Sequence, residues 1–309
     1  MVQLDPPGRV GTSVTETCVS NGSKPLPGVL RWTLGDLTVT VMNDGYLPGS
    51  LDLVVGIEKD EAGALQAAGF RARDPRITLN AFLVTGPGRE PLLIDTGMGG
   101  FGGPTLGRLP AALAAAGVRA EEIGTVLLTH LHPDHAGGLI TADGSAAFPN
   151  AELVVHTDEA AHWLGDGALS RAPEAAKPYF ENAAKATAPY ADRTRIVTGG
   201  EVAPGITQVP LPGHTPGHSG YRIVSGDRSL LMWADIVHLP AIQFKRPEAG
   251  LVFDVDAEAA RQVRRRILDE VASDRTFIAG AHLEFPALGY VARDGAGYSF
   301  VPELWVAAA

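Results

Sequence analysis

Short apolar runs bounded by Gly, Pro and Asp recur along the chain and fall into two groups. In the first, Leu37 to Met42, Asn80 to Thr85, Pro91 to Ile94, Thr125 to Leu128 and Leu153 to Val155 have the length and composition of buried strands. The second comprises Arg195 to Val197, Thr207 to Leu211, Tyr221 to Val224, Leu230 to Trp233 and Thr276 to Ala279. Helical spacing predicts helices over Leu106 to Ala116, Asp158 to Leu164, Ala172 to Ala186 and Asp256 to Ala272. In the last of these Ala260, Val263, Ile267 and Val271 form the apolar stripe, which puts Arg264, Arg265 and Arg266 on the expected solvated face. Two groups of strands, each with helices, indicate an α/β fold. No linker separates the groups and no short repeat is present. Residues 29–309 are therefore expected to form one domain, preceded by an extended arm over residues 1–28, which are rich in Pro, Gly, Ser and Thr.

Chemistry collects just beyond the predicted strands. The run His130-Leu131-His132-Pro133-Asp134-His135 places four potential metal ligands in six residues on the loop leaving one of them. Gly213-His214-Thr215-Pro216-Gly217-His218 follows another, Ala234-Asp235 a third and Ala281-His282 a fourth. Imidazole with carboxylate suits a first-row divalent ion, zinc by default and Mn, Fe or Co by availability. Asp95, in Leu93-Ile94-Asp95-Thr96-Gly97, ends a further strand and is the candidate outer acceptor for a ligand histidine. His218 reads as a supporting histidine, and His156 and His162 as packing or surface residues.

The set His130-x-His132-x-Asp134-His135 with His214, Asp235 and His282 resembles the complete ligand set of the metallo-β-lactamase superfamily. Within it the chain is most similar to the methyl parathion hydrolase branch and its lactonase and arylesterase relatives. That likeness is carried by Gly103-Pro104-Thr105-Leu106-Gly107-Arg108-Leu109, Ala234-Asp235-Ile236-Val237, Val255-Asp256, Ala281-His282-Leu283-Glu284-Phe285-Pro286 and Gly297-Tyr298-Ser299-Phe300-Val301-Pro302. It spans about residues 30 to 302. The resemblance implies an αββα sandwich with two divalent ions at one edge. His130, His132 and His214 would hold one ion and Asp134, His135 and His282 the other, with Asp235 between them. It also implies catalytic roles for Asp235 as the bridge and Asp134 as the proton carrier. The implied reaction is the opening of lactones, such as N-acyl homoserine or aryl lactones, or the cleavage of aryl esters, by a hydroxide shared between the ions. Organophosphate triester hydrolysis is the alternative.

By analogy with that branch, Trp163, Tyr179, Phe180, Phe244 and Phe253 are expected around an apolar substrate pocket, with His238 as its polar member. His238 and Phe101-Gly102 depart from the triesterase pattern and favour a lactone or aryl ester. A di-iron flavoprotein partner is disfavoured because His132 stands where such relatives carry a glutamate. A glutathione thioesterase is disfavoured because no cationic cluster is evident for the thiol's carboxylates. A β-lactamase and a non-catalytic metal module are the remaining readings.

Composition narrows the partners. A formal net charge of -10 with no basic patch excludes a nucleic-acid partner, leaving a small-molecule ester or lactone. No apolar run approaches a membrane span. The single cysteine, Cys18, rules out an intramolecular disulfide and has no histidine near it. The N-terminal stretch does not read as an intact signal peptide, so the cytoplasm is expected. A removed leader would place the protein in the periplasm or outside the cell. A homodimer is left open.

Overall fold

The computed structural model describes residues 27–304. All but the last two residues of the expected N-terminal arm, and Cys18 with them, lie outside that range. Among the described residues the strands build two seven-stranded sheets and one two-stranded pair, Val54–Val55 with Gly250–Leu251. The first sheet runs Val29–Leu34, Leu37–Pro48, Arg76–Thr85, Leu92–Ile94, Thr125–Leu127, Glu152–His156 and Thr194–Val197. The second runs Gly297–Pro302, Leu288–Asp294, Ile278–Ala279, Arg228–Met232, Ser219–Ser225, Ile206–Pro210 and Gly200–Ala203. Every predicted strand is present within a few residues. Less legible were Val29–Leu34 and Gly200–Ala203, edge strands half open to solvent, and the hairpin of the last two strands.

Alternation along each strand sorts side chains between two cores. Phe82 and Val84, with Val39, Val41, Ile94, Leu127 and Val154, meet Ile206, Ile223, Leu231 and Ile278 between the sheets. Ala81 and Leu83, with Leu93, Val126, Leu153 and Val155, point outward against Leu109, Leu113, Trp163, Phe180 and Ala183 on the helices. The helix Ala257–Asp274 lays Ile267, Leu268 and Val271 on the other side, which completes the αββα sandwich. Each such side chain, buried in full, contributes roughly 1.5–3 kcal/mol.

One helix escaped the sequence reading, and one sequence expectation needs correction. The helix Lys59–Ala68 was not foreseen, because it is alanine-rich and buries only Ala62, Gly63 and Gln66. Arg264 is not on a solvated face: it is 1% exposed, whereas Arg265 and Arg266 are exposed. It sits one turn from Ala260 and Leu268 and so belongs to the buried stripe.

The sheets are sewn together at one edge. The Tyr221 hydroxyl donates to Leu128 O (2.7 Å), Ser219 N donates to Thr129 O (3.0 Å), and Asn80 Nδ2 donates to Ala281 O and Leu283 O. Leu128, Thr129 and Ala281 flank the histidine-bearing loops, so these bonds register one half of the site against the other.

Candidate metal centre

Each cluster residue follows the end of a strand on that edge. His130 to His135 come after Thr125–Leu127, His214 after Ile206–Pro210, Asp235 after Arg228–Met232 and His282 after Ile278–Ala279. Asp95 and Ala234, the latter next to Asp235, adopt φ values of 60° and 52°, a left-handed conformation that costs a non-glycine residue roughly 1–2 kcal/mol. At Gly213 (φ 136°) an added Cβ would lie 2.3 Å from Ala260 N, so only glycine lets the His214 loop press on that helix.

All seven residues converge. His130 Nε2 is 3.1 Å from His132 Nδ1, which is 3.0 Å from His214 Nε2. Asp134, His135 and His282 form a second group, with Asp134 Oδ2 3.5 Å from His135 Nε2 and 3.6 Å from His282 Nε2. Asp235 lies between the groups. Its Oδ2 is 3.2 Å from His214 Nε2 and 3.0 Å from His282 Nε2, and its Oδ1 is 3.3 Å from His135 Nε2.

Outer partners decide which ring nitrogens remain free. His135 Nδ1 donates to Asp95 Oδ2 (2.8 Å), His214 Nδ1 to Asp254 Oδ1 (2.8 Å) and His282 Nδ1 to Thr78 O (2.8 Å). His130 Nδ1 meets the Thr129 hydroxyl, which itself donates to Asp95 Oδ2. In each ring the far nitrogen is spent, so the near one aims a bare lone pair at the cluster. Neutral imidazoles cannot satisfy one another that way. His135 Nε2 and Asp235 Oδ1 are buried with no hydrogen-bond partner at all. Two cations, one against each group, would satisfy this donor set, and the residues fit that requirement.

The charges agree. Burial lowers the His130 and His132 pKa values far below the usual range, with neighbouring histidines adding to the effect. Burial acts the same way on His135, but Asp235, Asp134 and Asp95 override it and drive its pKa well up. His214 is likewise brought to about 9 against its burial, by Asp235 and Asp254. Burial would raise the Asp235 carboxyl, yet His135, His282 and His130 hold it well below the carboxylate range. Without metal the cluster thus draws protons onto His135 and His214, where cations would take their place.

Residues 76–282 match the metallo-beta-lactamase superfamily model. The chain belongs to that superfamily. The crystal structure of the hydrolase AbOPH is 32% identical, covering 92% of this chain and 100% of its own, with a TM-score of 0.86. That of AidC, a dizinc quorum-quenching lactonase in complex with the product N-hexanoyl-L-homoserine, is 27% identical, covers 91% and 99%, and has a TM-score of 0.84. An N-acyl homoserine lactonase of Bacillus cereus is 26% identical over 178 residues, 57% of this chain and 62% of its own. The chain spans about half the length of the curated relatives it matches first, 44% and 57%.

His218 lies beside the cluster, where with His130 and Asp235 it is also close enough to share an ion. Its Nδ1 donates to Leu211 O (2.8 Å) and its Nε2 accepts from Asp235 N (3.1 Å), so both nitrogens are occupied. Burial and His214 bring its pKa down to about 3, which keeps it neutral. Sequence reasoning missed Asp254, the acceptor of His214, and Arg264 behind it. Arg264 donates to Ile236 O (2.7 Å) and Ala249 O (2.9 Å) and lies 3.6 Å from Asp254 Oδ2. It missed Glu159 as well. No periodicity marks any of the three, since their contacts join distant segments.

A cavity of about 170 Å³ opens on the cluster. Leu47, Ile77, Met98, Tyr179 and Phe253 wall it, and His132, Asp134, His214, Asp235 and His238 form its polar floor. Of the expected pocket residues, His238, Tyr179 and Phe253 are there. Trp163, Phe180 and Phe244 do not line it: Trp163 and Phe180 line a separate cavity of about 760 Å³, and Phe244 lines another of about 630 Å³. Trp163 lies edge-on to His132 with its ring tilted 52° to Phe180, and Phe244 is buried against Trp233 and Phe300. His238 Nε2 donates to Asp235 Oδ2 (3.0 Å), while its Nδ1 is buried without a partner.

Proposed function

We propose that this protein is a hydrolase using two divalent ions, held by His130, His132 and His214 and by Asp134, His135 and His282 with Asp235 shared, and that it opens lactones or cleaves aryl esters. The observation that carries the substrate reading is the cavity, lined by Leu47, Ile77, Met98, Phe253 and Tyr179 beside the cluster residues and His238. No Lys or Arg is among the described residues that line it. Such a shape takes a neutral molecule with one polar ester end and an apolar body. Phosphates or carboxylates remote from the scissile bond of a thioester or β-lactam would find no Lys or Arg on its walls. The likeness to AidC and to the Bacillus cereus lactonase supports the same reading.

When bound, the ions supply an acidified water and polarise the bond to be cleaved. The chain's own residues do the rest. Asp134 has the most accessible carboxylate of the cluster, 15% exposed against 2% for Asp235, and it faces the cavity. With Oδ2 turned to His135 and His282, the other carboxylate oxygen would take a proton and return it to the departing alkoxide. His135 and His282 hold this carboxyl well below its usual range despite burial, so it rests as a base. His238, neutral because burial brings it to about 4, would meet a polar group of the substrate at the cavity floor. Tyr179 and Phe253 exclude water beside it. The test is a panel of neutral lactones, aryl esters, phosphotriesters, acyl-CoA thioesters and penicillins, assayed with and without chelator. A chelator-reversible preference for the first two supports the reading, and turnover confined to the last two overturns it.

A further inference from the structure

We propose that Glu159 is a positioning residue that locks the three-histidine half of the metal centre. One buried carboxylate ties together the two loops that carry it. Glu159 is 1% exposed and stands in the first turn of the helix Thr157–Leu164. Its Oε1 accepts from Leu131 N (2.8 Å), the residue between His130 and His132. Its Oε2 accepts from the Thr215 hydroxyl (2.6 Å) and from Gly217 N (2.9 Å), one and three residues after His214. Trp163 Nε1 completes the set at Oε1 (2.5 Å), with its ring edge-on to His132.

This arrangement is specific to a carboxylate. Each oxygen takes two donors, and no other side chain offers two such oxygens to four fixed donors. The carboxylate has no Lys or Arg ion-pair partner among the described residues. Its charge is instead borne by the four donors and by the positive end of its own helix. The loop is fitted to it closely, since a Cβ at Gly217 would sit 2.3 Å from Glu159 N. His132 and His214 are 82 positions apart, and their near nitrogens must meet to about 3 Å. Among the described residues outside the cluster, the Glu159 side chain bonds to both segments.

In Glu159→Gln the amide nitrogen cannot accept from Gly217 N, so one loop is released while size and packing are kept. The inference rests on the ligand assignment proposed above, and the test separates the two. In a His282→Ala background, which leaves the three-histidine group, Glu159→Gln should weaken zinc binding by about 10- to 100-fold in chelator-buffered titrations. In a His214→Ala background, which leaves the Asp134 group, it should change zinc binding by less than about threefold. A merely structural role would lower the unfolding temperature of the metal-free protein and weaken both backgrounds alike, and that result overturns the proposal. So does an unchanged affinity in the first background. Should Glu159→Gln not fold, Thr215→Val removes a single bond at Oε2, and a loss of about 3- to 10-fold confined to the first background is expected. No loss there overturns the proposal equally. If both background variants still bind two zinc ions, the ligand assignment fails instead, and Glu159 has no three-histidine site to lock.

Discussion

Replacing Asp254 by Asn separates two duties that one carboxylate performs. Asp254 accepts from His214 Nδ1 at 2.8 Å and faces the Arg264 guanidinium at 3.6 Å, with both side chains essentially buried. The amide oxygen can still accept from His214, but the negative charge is gone. Arg264 then keeps only backbone carbonyls, those of Ile236 and Ala249 and, at 3.3 Å, Pro247. Removing one partner of a buried pair costs about 3–5 kcal/mol, and the carbonyls bring the expectation to the low end, about 3 kcal/mol. At roughly 2–4 °C per kcal/mol, the metal-free variant should unfold about 6–12 °C below the parent. Loss of the charged acceptor behind His214 should also weaken zinc binding by about 10- to 100-fold. Arg264→Met in the same chain removes the stranded charge. The double variant should therefore recover at least about 1 kcal/mol relative to the sum of the single changes, while its zinc affinity stays low. Differential scanning calorimetry of the four proteins, with zinc titrations, measures both quantities. Strictly additive stabilities, or a zinc affinity unchanged by Asp254→Asn, would refute the reasoning.

Three further outcomes are expected. Asp235→Ala should lose both metal and turnover, because its carboxylate lies between the two groups, whereas Asp134→Asn should keep more metal and still lose turnover; elemental analysis beside kcat distinguishes them. His238→Leu should narrow a preference for the best lactone or aryl ester over phosphotriesters that we expect to exceed about tenfold in the parent, worth roughly 1.4 kcal/mol; an unchanged ratio means His238 does not meet the substrate. Trp163→Phe keeps the packing and removes the indole donor to Glu159, so stability should fall by about 1 kcal/mol with KM little changed, and a large rise in KM would return Trp163 to the substrate pocket.

Local spacing made much of this molecule legible. His130 to His135 span one loop and the helical turn Pro133–Ala136 that follows it, and each remaining cluster residue follows an apolar run, so composition and position alone predicted a common edge. The strands of both sheets were readable for the same reason, being short apolar runs between turn residues. What stayed hidden depends on contacts between distant segments. Asp254 and Glu159 look like ordinary carboxylates until the fold brings His214 and Leu131 to them. Arg264 was misread because a charged residue at a stripe position was assigned to solvent, when Asp254 and three carbonyls were waiting inside. Trp163 and Phe244 stand apart from the cavity over the cluster, since an aromatic near a site in sequence can be turned by the fold toward another part of the molecule. Tyr179 and Phe253 reach the cavity because their faces are left uncovered.

The most direct test is to titrate metal-free protein with zinc while following hydrolysis of a neutral lactone. The account predicts that activity rises to its maximum at two equivalents per chain, and that a chelator abolishes it and zinc restores it. Full activity at one equivalent, or no lactone turnover with two ions bound, would contradict it.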